Sequence, residues 1–134
     1  MIHIHILQAL LLSLLPSVAL AQTETRLLGD DKEGARHFML LSQMEAQGKN
    51  RIGWKIVNYP RRNAVGAQSN RTRQEFDCED QRVRDLFVVW YSGTMASGTL
   101  VMGVAPESPD WRKTQSDSID ERARQIACAA AVGP

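Results

Sequence analysis

The chain has 134 residues, 43% of them apolar and 23% charged, which is room for one domain with a modest core and too apolar for a disordered chain. Sixteen Lys and Arg against fifteen Asp and Glu leave a net charge of +1, so bulk charge points to no nucleic-acid partner. The composition excludes a polytopic membrane protein, a coiled coil and a repeat array, and two cysteines exclude a cysteine-only zinc site.

Ile6 to Leu15 is apolar except for Gln8 and Ser13, and Pro16 then breaks any helix. Ala19-Leu20-Ala21 places small residues where a signal peptidase reads them. A membrane-spanning helix needs about 20 apolar residues, and this stretch is half that. Residues 1–21 are therefore expected to be a signal peptide, although no Lys or Arg precedes the apolar stretch. The mature chain would begin near Gln22, without a transmembrane segment and without the cysteine of a lipoprotein. Its compartment would be periplasmic or secreted.

Residues 22–34 read as a polar leader, with at most a short strand over Arg26–Leu28, and the domain proper is expected over 35–134. Arg36–Ser42 is a short apolar run and a first strand. Ala46–Asn50 has turn chemistry. Ile52–Tyr59 alternates, with Trp54, Ile56 and Asn58 on one face and Lys55, Val57 and Tyr59 on the other, until Pro60 ends it. Residues 61–70 are a polar loop. Thr72–Cys78 predicts an edge-like strand with a thin apolar face. Val83–Tyr91 is the strongest strand, apolar on both faces from Leu86 and so expected in a central position. Ser92 to Gly98 is a turn that leads to a hairpin partner at Thr99–Val104, and Trp111–Thr114 is a last short strand. Ser118 and Glu121 form a capping box before a helix from Ile119 to about Ala130, whose apolar stripe is Ile119, Ala123, Ile126, Ala127 and Ala130. Strands first and one helix last predict a single α+β domain: an antiparallel sheet of about five to six strands with the C-terminal helix packed on it.

An exported chain with two cysteines, Cys78 and Cys128, is expected to pair them, the alternative being two free buried thiols. The helical wheel sets Cys128 opposite the apolar stripe, so the bridge would reach the sheet from the helix flank or from a loosened last turn. Charge is unevenly placed. Lys49, Arg51, Lys55, Arg61, Arg62, Arg71 and Arg73 follow one another with no acid between Ala46 and Gln74, and five acids cluster from Glu75 to Asp85. Arg61, Arg62 and Arg71 read as loop residues and Arg73 as the start of a strand. These four are the candidate contacts for an anionic partner. The acids around Cys78 read as a solvated loop, paired with Arg82 and Arg84. His37, the one histidine of the mature chain, reads as a strand-end residue with no nucleophile near it. Trp54, Trp90 and Trp111 read as core anchors.

Glu75-Phe-Asp-Cys78, Arg82 and Arg84, Tyr91-Ser-Gly-Thr-Met95, Gly98, Trp111 and Ser118 to Cys128 together resemble the surface-adhesin protein E-like family of small exported Gram-negative domains. The resemblance spans roughly residues 35–130. It implies a PAS-type antiparallel sheet with a C-terminal helix, a Cys78–Cys128 disulfide, adhesion to host matrix and plasma proteins and, in some relatives, haem binding, for which His37 with Met39 or Met44 would be the ligands. The expected function is an exported, non-enzymatic, adhesin-like binding module for a protein, an anionic glycan or lipopolysaccharide, with a homodimer possible. The alternative is a small secreted inhibitor of a periplasmic or extracellular hydrolase, which a rigid loop at 92–98 or 60–70 would favour.

Overall fold

A computed structural model describes residues 24–132. The signal peptide expected over 1–21 lies outside the described residues. Eight strands form one antiparallel sheet: β1 Thr25–Asp30, β2 Arg36–Leu40, β3 Glu45–Gln47, β4 Asn50–Asn58, β5 Ser69–Asp77, β6 Arg82–Tyr91, β7 Leu100–Val104 and β8 Arg112–Lys113, followed by helix α1, Ile119–Ala129. The order is β1-β2-β4-β5-β6-β7, with β3 beside the start of β4 and β8 beside the start of β6.

The two strands beyond the expected count, β1 and β3, come from segments read as leader and turn. The side chain of Asp31 accepts from the N–H groups of Glu33 (3.0 Å) and Ala35 (2.9 Å), which folds the acidic stretch into the turn joining β1 to β2. Gln47 faces Asn50 across a two-residue turn, where Gly48 supplies a φ of 57°.

Thr72–Asp77, followed by Cys78, belongs to β5, which is not an edge strand. It runs from Ser69 between β4 and β6, and most of its residues are buried. Its polar side chains tolerate that position because they meet partners: Gln74 donates to Asp85 at 2.7 Å, Arg84 pairs with Glu75 at 2.7 Å, and Arg82 pairs with Asp77 at 2.7 Å, while Gln74 Oε1 is left without a partner among the described residues. Glu75 and Asp77 are thus buried in the sheet rather than solvated in a loop. β6 is interior as expected, yet its apolar residues are less buried than those of β5, because on the side away from β5 only the short β7 and β8 flank it.

Helix α1 covers one face of the sheet. Ala123 and Ala127, fully buried, pack with Leu28, Met39, Phe76 and Val83, and no tryptophan belongs to this cluster. Ser118 caps the helix by accepting from the N–H of Glu121 at 3.1 Å. The reciprocal half of the capping box is absent. The Glu121 carboxylate turns to Arg124 (2.6 Å) and Thr114 instead, and the Arg124 guanidinium holds it down at about 2. The Cys78–Cys128 disulfide is formed, with Cα atoms 5.7 Å apart. Arg124 is buried beside the apolar stripe, so the covered arc of the helix is wider than the stripe and Cys128 reaches β5 from its flank.

Candidate functional site

Register divides the sheet into two faces. His37, Met39, Lys55, Gln74 and Phe76 share the helix-covered face. Among the described residues no helix lies on the opposite face. Across it run Ile56, Arg71, Val89 and Gly103 in one row, and Trp54, Arg73 and Phe87 in the next.

Arg71 and Arg73 therefore stand side by side on this face, on β5. Arg71 is not a loop residue: strand pairing extends to Ser69 and sets Arg71 between Ile56 and Val89. Its guanidinium lies 4.2 Å from the Trp54 ring centroid and donates to Gln43 Oε1 at 2.6 Å. Arg73 pairs with Glu45 of β3 at 3.1 Å. Arg61 and Arg62 are exposed on the loop between β4 and β5. The tryptophans serve cations and stacking rather than the core. Trp54 carries Arg71, Trp111 lies against Arg82 and Arg84 (4.8 and 4.4 Å), and Trp90 stacks on Tyr59 (5.6 Å).

A second polar centre lies on the other face, in a groove of about 640 Å³ at the start of α1. Lys55 is buried there with its Nζ 3.8 Å from Asp120, and Asp120 also accepts from Arg112 at 2.8 Å. Burial pushes the Lys55 ammonium below the usual lysine range, with Asp120 opposing. Burial raises the Asp120 carboxyl, but Arg112 and Lys55 outweigh it and hold it below the carboxylate range. His37 bonds Asp31 through Nε2 at 2.8 Å, and its Nδ1 is buried without a partner among the described residues. Burial lowers its pKa more than Asp31 raises it. This network ties the β1–β2 turn and the helix start to the sheet.

The residues expected as haem ligands have other partners in the fold. Nε2 of His37 is held by Asp31, and Met39 is fully buried under the helix. Met44 packs against the same core. Among the described residues no group of His, Cys, Asp and Glu could hold a metal ion, and no helix is long and apolar enough to cross a membrane.

A family model described as surface-adhesin protein E matches residues 25–129. The chain belongs to the surface-adhesin protein E family. Haemophilus influenzae protein E has the same fold. Its selenomethionine form aligns with a TM-score of 0.61 at 17% identity over 81% of this chain and 91% of that one. A second structure of it gives 0.61 at 16% identity over 81% and 89%, and its crystal form II gives 0.55 at 17% over 69% and 80%. At that identity the likeness is one of fold. No curated protein matches the chain. Within this family fold, the residues that sequence reasoning missed are Trp54 and Gln43, which position Arg71, and the Lys55 network. A tryptophan two residues before Ile56 on a strand next to an arginine-bearing strand was the available signal for the first. A lone lysine among the apolar residues of β4 was the signal for the second.

Proposed function

We propose that this protein is an exported, non-enzymatic binding module that holds an anionic partner on the helix-free face of its sheet. The reading rests on Arg71. Trp54 and Gln43 fix its guanidinium, yet among the described residues no carboxylate lies within ion-pair distance of it. Most arginines of the sheet have such a partner: Arg73, Arg82, Arg84 and Arg112 all do. An oriented arginine without a counter-ion suits a carboxylate, sulfate or phosphate supplied from outside. Family membership supports an adhesive role at the cell exterior, with the partner a protein, an anionic glycan or lipopolysaccharide.

The test is to reverse Arg61, Arg62, Arg71 and Arg73 to Glu and measure retention on heparin or lipopolysaccharide against salt. Retention that is lost in the variant, and that falls with salt in the wild type, is expected. Equal retention with the fold intact overturns the reading. Export through residues 1–21 to the periplasm or beyond is part of the same proposal, and the mature chain is then expected to begin at Gln22.

A homodimer is proposed along β7. This edge strand, LVMGV, carries no charge and exposes Leu100, Met102 and Val104 beside a backbone edge that is unpaired among the described residues. The inhibitor reading has less support. In loop 92–98 the N–H groups of Met95 and Ala96 at the tip are tied back onto Asn58 and Ser69, not presented on a free-standing loop.

A further inference from the structure

Next to Arg71 the helix-free face is hollowed. A pocket of about 260 Å³ lies between Leu40, Ile56 and Arg71 on the sheet, Gln43, and the 92–98 tip. Leu40 and Ile56 are buried residues and make its apolar floor. The opposite wall is Met95 and Ala96.

That wall is strained. Met95 and Ala96 sit at φ 53° and 56°, two successive side-chain-bearing residues in the left-handed region. Such backbone persists only where its surroundings over-determine it. Here Asn58 Oδ1 accepts from the N–H of Met95 at 2.6 Å, Ser69 Oγ accepts from Ala96 at 3.0 Å and donates to the Gly93 carbonyl at 2.5 Å, and Ser92 Oγ accepts from Thr99 at 2.8 Å. The ends of β4 and β5 thus hold the tip against the pocket with Met95 half exposed.

On the other side, Gln43 takes a hydrogen bond from Arg71 Nη2, while the buried Nε has no partner among the described residues. An apolar floor made by Leu40 and Ile56 therefore adjoins an oriented cation that has no acid within ion-pair distance among the described residues. A ligand that satisfies both carries an apolar group and an anion close together, and within a protein chain that anion is a carboxylate. A C-terminal aliphatic residue carries both on one Cα, whereas an internal acidic residue needs a neighbour to supply the apolar group. We infer that this pocket receives the C-terminal residue of a protein partner, its branched aliphatic side chain against Leu40, Ile56 and Met95 and its α-carboxylate on Arg71. The inference rests on the reading of Arg71 as a partner contact.

N-acetyl-leucine is the probe, titrated into the protein and followed by the NMR signals of the Leu40, Ile56 and Met95 methyls and the Trp54 indole. Saturable shifts at these groups are expected. N-acetyl-leucinamide, which lacks the carboxylate, is expected to bind about tenfold more weakly, and Arg71→Gln should weaken the acid by a similar factor but not the amide. Met95→Gly suits a positive φ and keeps the fold, and it should weaken acid and amide alike. Equal binding of acid and amide, or shifts confined to residues away from the pocket, overturns the inference. Octanoate binding more tightly than N-acetyl-leucine would assign the pocket to a lipid carboxylate and overturn the chain-terminus assignment. The two readings fail separately. Heparin retention that depends on the arginines, with no response to N-acetyl-leucine, overturns the pocket alone. A response to N-acetyl-leucine with heparin retention unchanged in the charge-reversed variant keeps the pocket and overturns the broader anionic face.

Discussion

Lys55 shows how much one residue's setting matters. Its side chain is 9% exposed, it donates no hydrogen bond among the described residues, and Asp120 is 3.8 Å away. A buried ammonium so thinly compensated is held in the fold at a net expense. Lys55→Met is therefore expected to raise stability at neutral pH by about 1 kcal/mol, because the partly exposed Asp120 keeps Arg112 at 2.8 Å as its counter-ion and is not left uncompensated. The sign with pH follows from the direction of the shift. The folded pKa lies below the ordinary 10.5. The wild type is thus penalised at every pH below that folded value, and the penalty disappears as pH rises to the unfolded one. The gain of the variant should shrink between neutral and strongly alkaline pH, as urea melts at several pH values would read. A variant less stable than wild type at pH 7 would mean that Lys55 is better partnered than this geometry allows.

At the scale of elements, α1 is an 11-residue helix that is too short to be stable alone, so its order comes from docking. Small side chains at Ala123 and Ala127 let it lie close on Met39, Phe76 and Val83. Its two ends are held differently, by the Ser118 cap, Asp120 and Glu121 at the start and by the disulfide near the end. Cys128→Ser is expected to lower stability by roughly 2–5 kcal/mol. Hydrogen exchange should show the loss of protection greatest in the last two turns of α1, while β4 and β5, the interior pair, stay protected. Uniform loss across sheet and helix would show instead that the bridge holds the whole domain.

For the molecule as a whole, the sheet decides which surfaces are available. One face is covered by α1, the other bears the arginines, and the β7 edge is apolar and, among the described residues, unpaired. If two chains pair along β7, sedimentation of the wild type should give a dimer, and Met102→Lys should give a monomer without loss of fold, because a charge on an open edge discourages pairing. A monomeric wild type at high concentration would remove that interface from the proposal. Because β7 and β5 are separated by β6, this change should leave heparin retention of the monomer intact.

The local signals of the chain were enough for the strand-then-helix order, the antiparallel class, the start of α1 at Ile119 and the pairing of Cys78 with Cys128, since each depends on periodicity, capping or a two-member count. They failed where pairing partners matter. Alternation tells which face a strand residue occupies but not which strand lies beside it, so polar β5 looked like an edge although Arg82, Arg84 and Asp85 satisfy it from β6. The leader became β1 because β2 offered it an edge to pair with. Arg71 gained its orientation from Gln43, 28 positions away, and from Trp54 on the neighbouring strand. Lys55 became buried only when the helix start closed over it with Asp120. Contacts between residues far apart in sequence leave no periodic trace, and these are the contacts from which the candidate site is built.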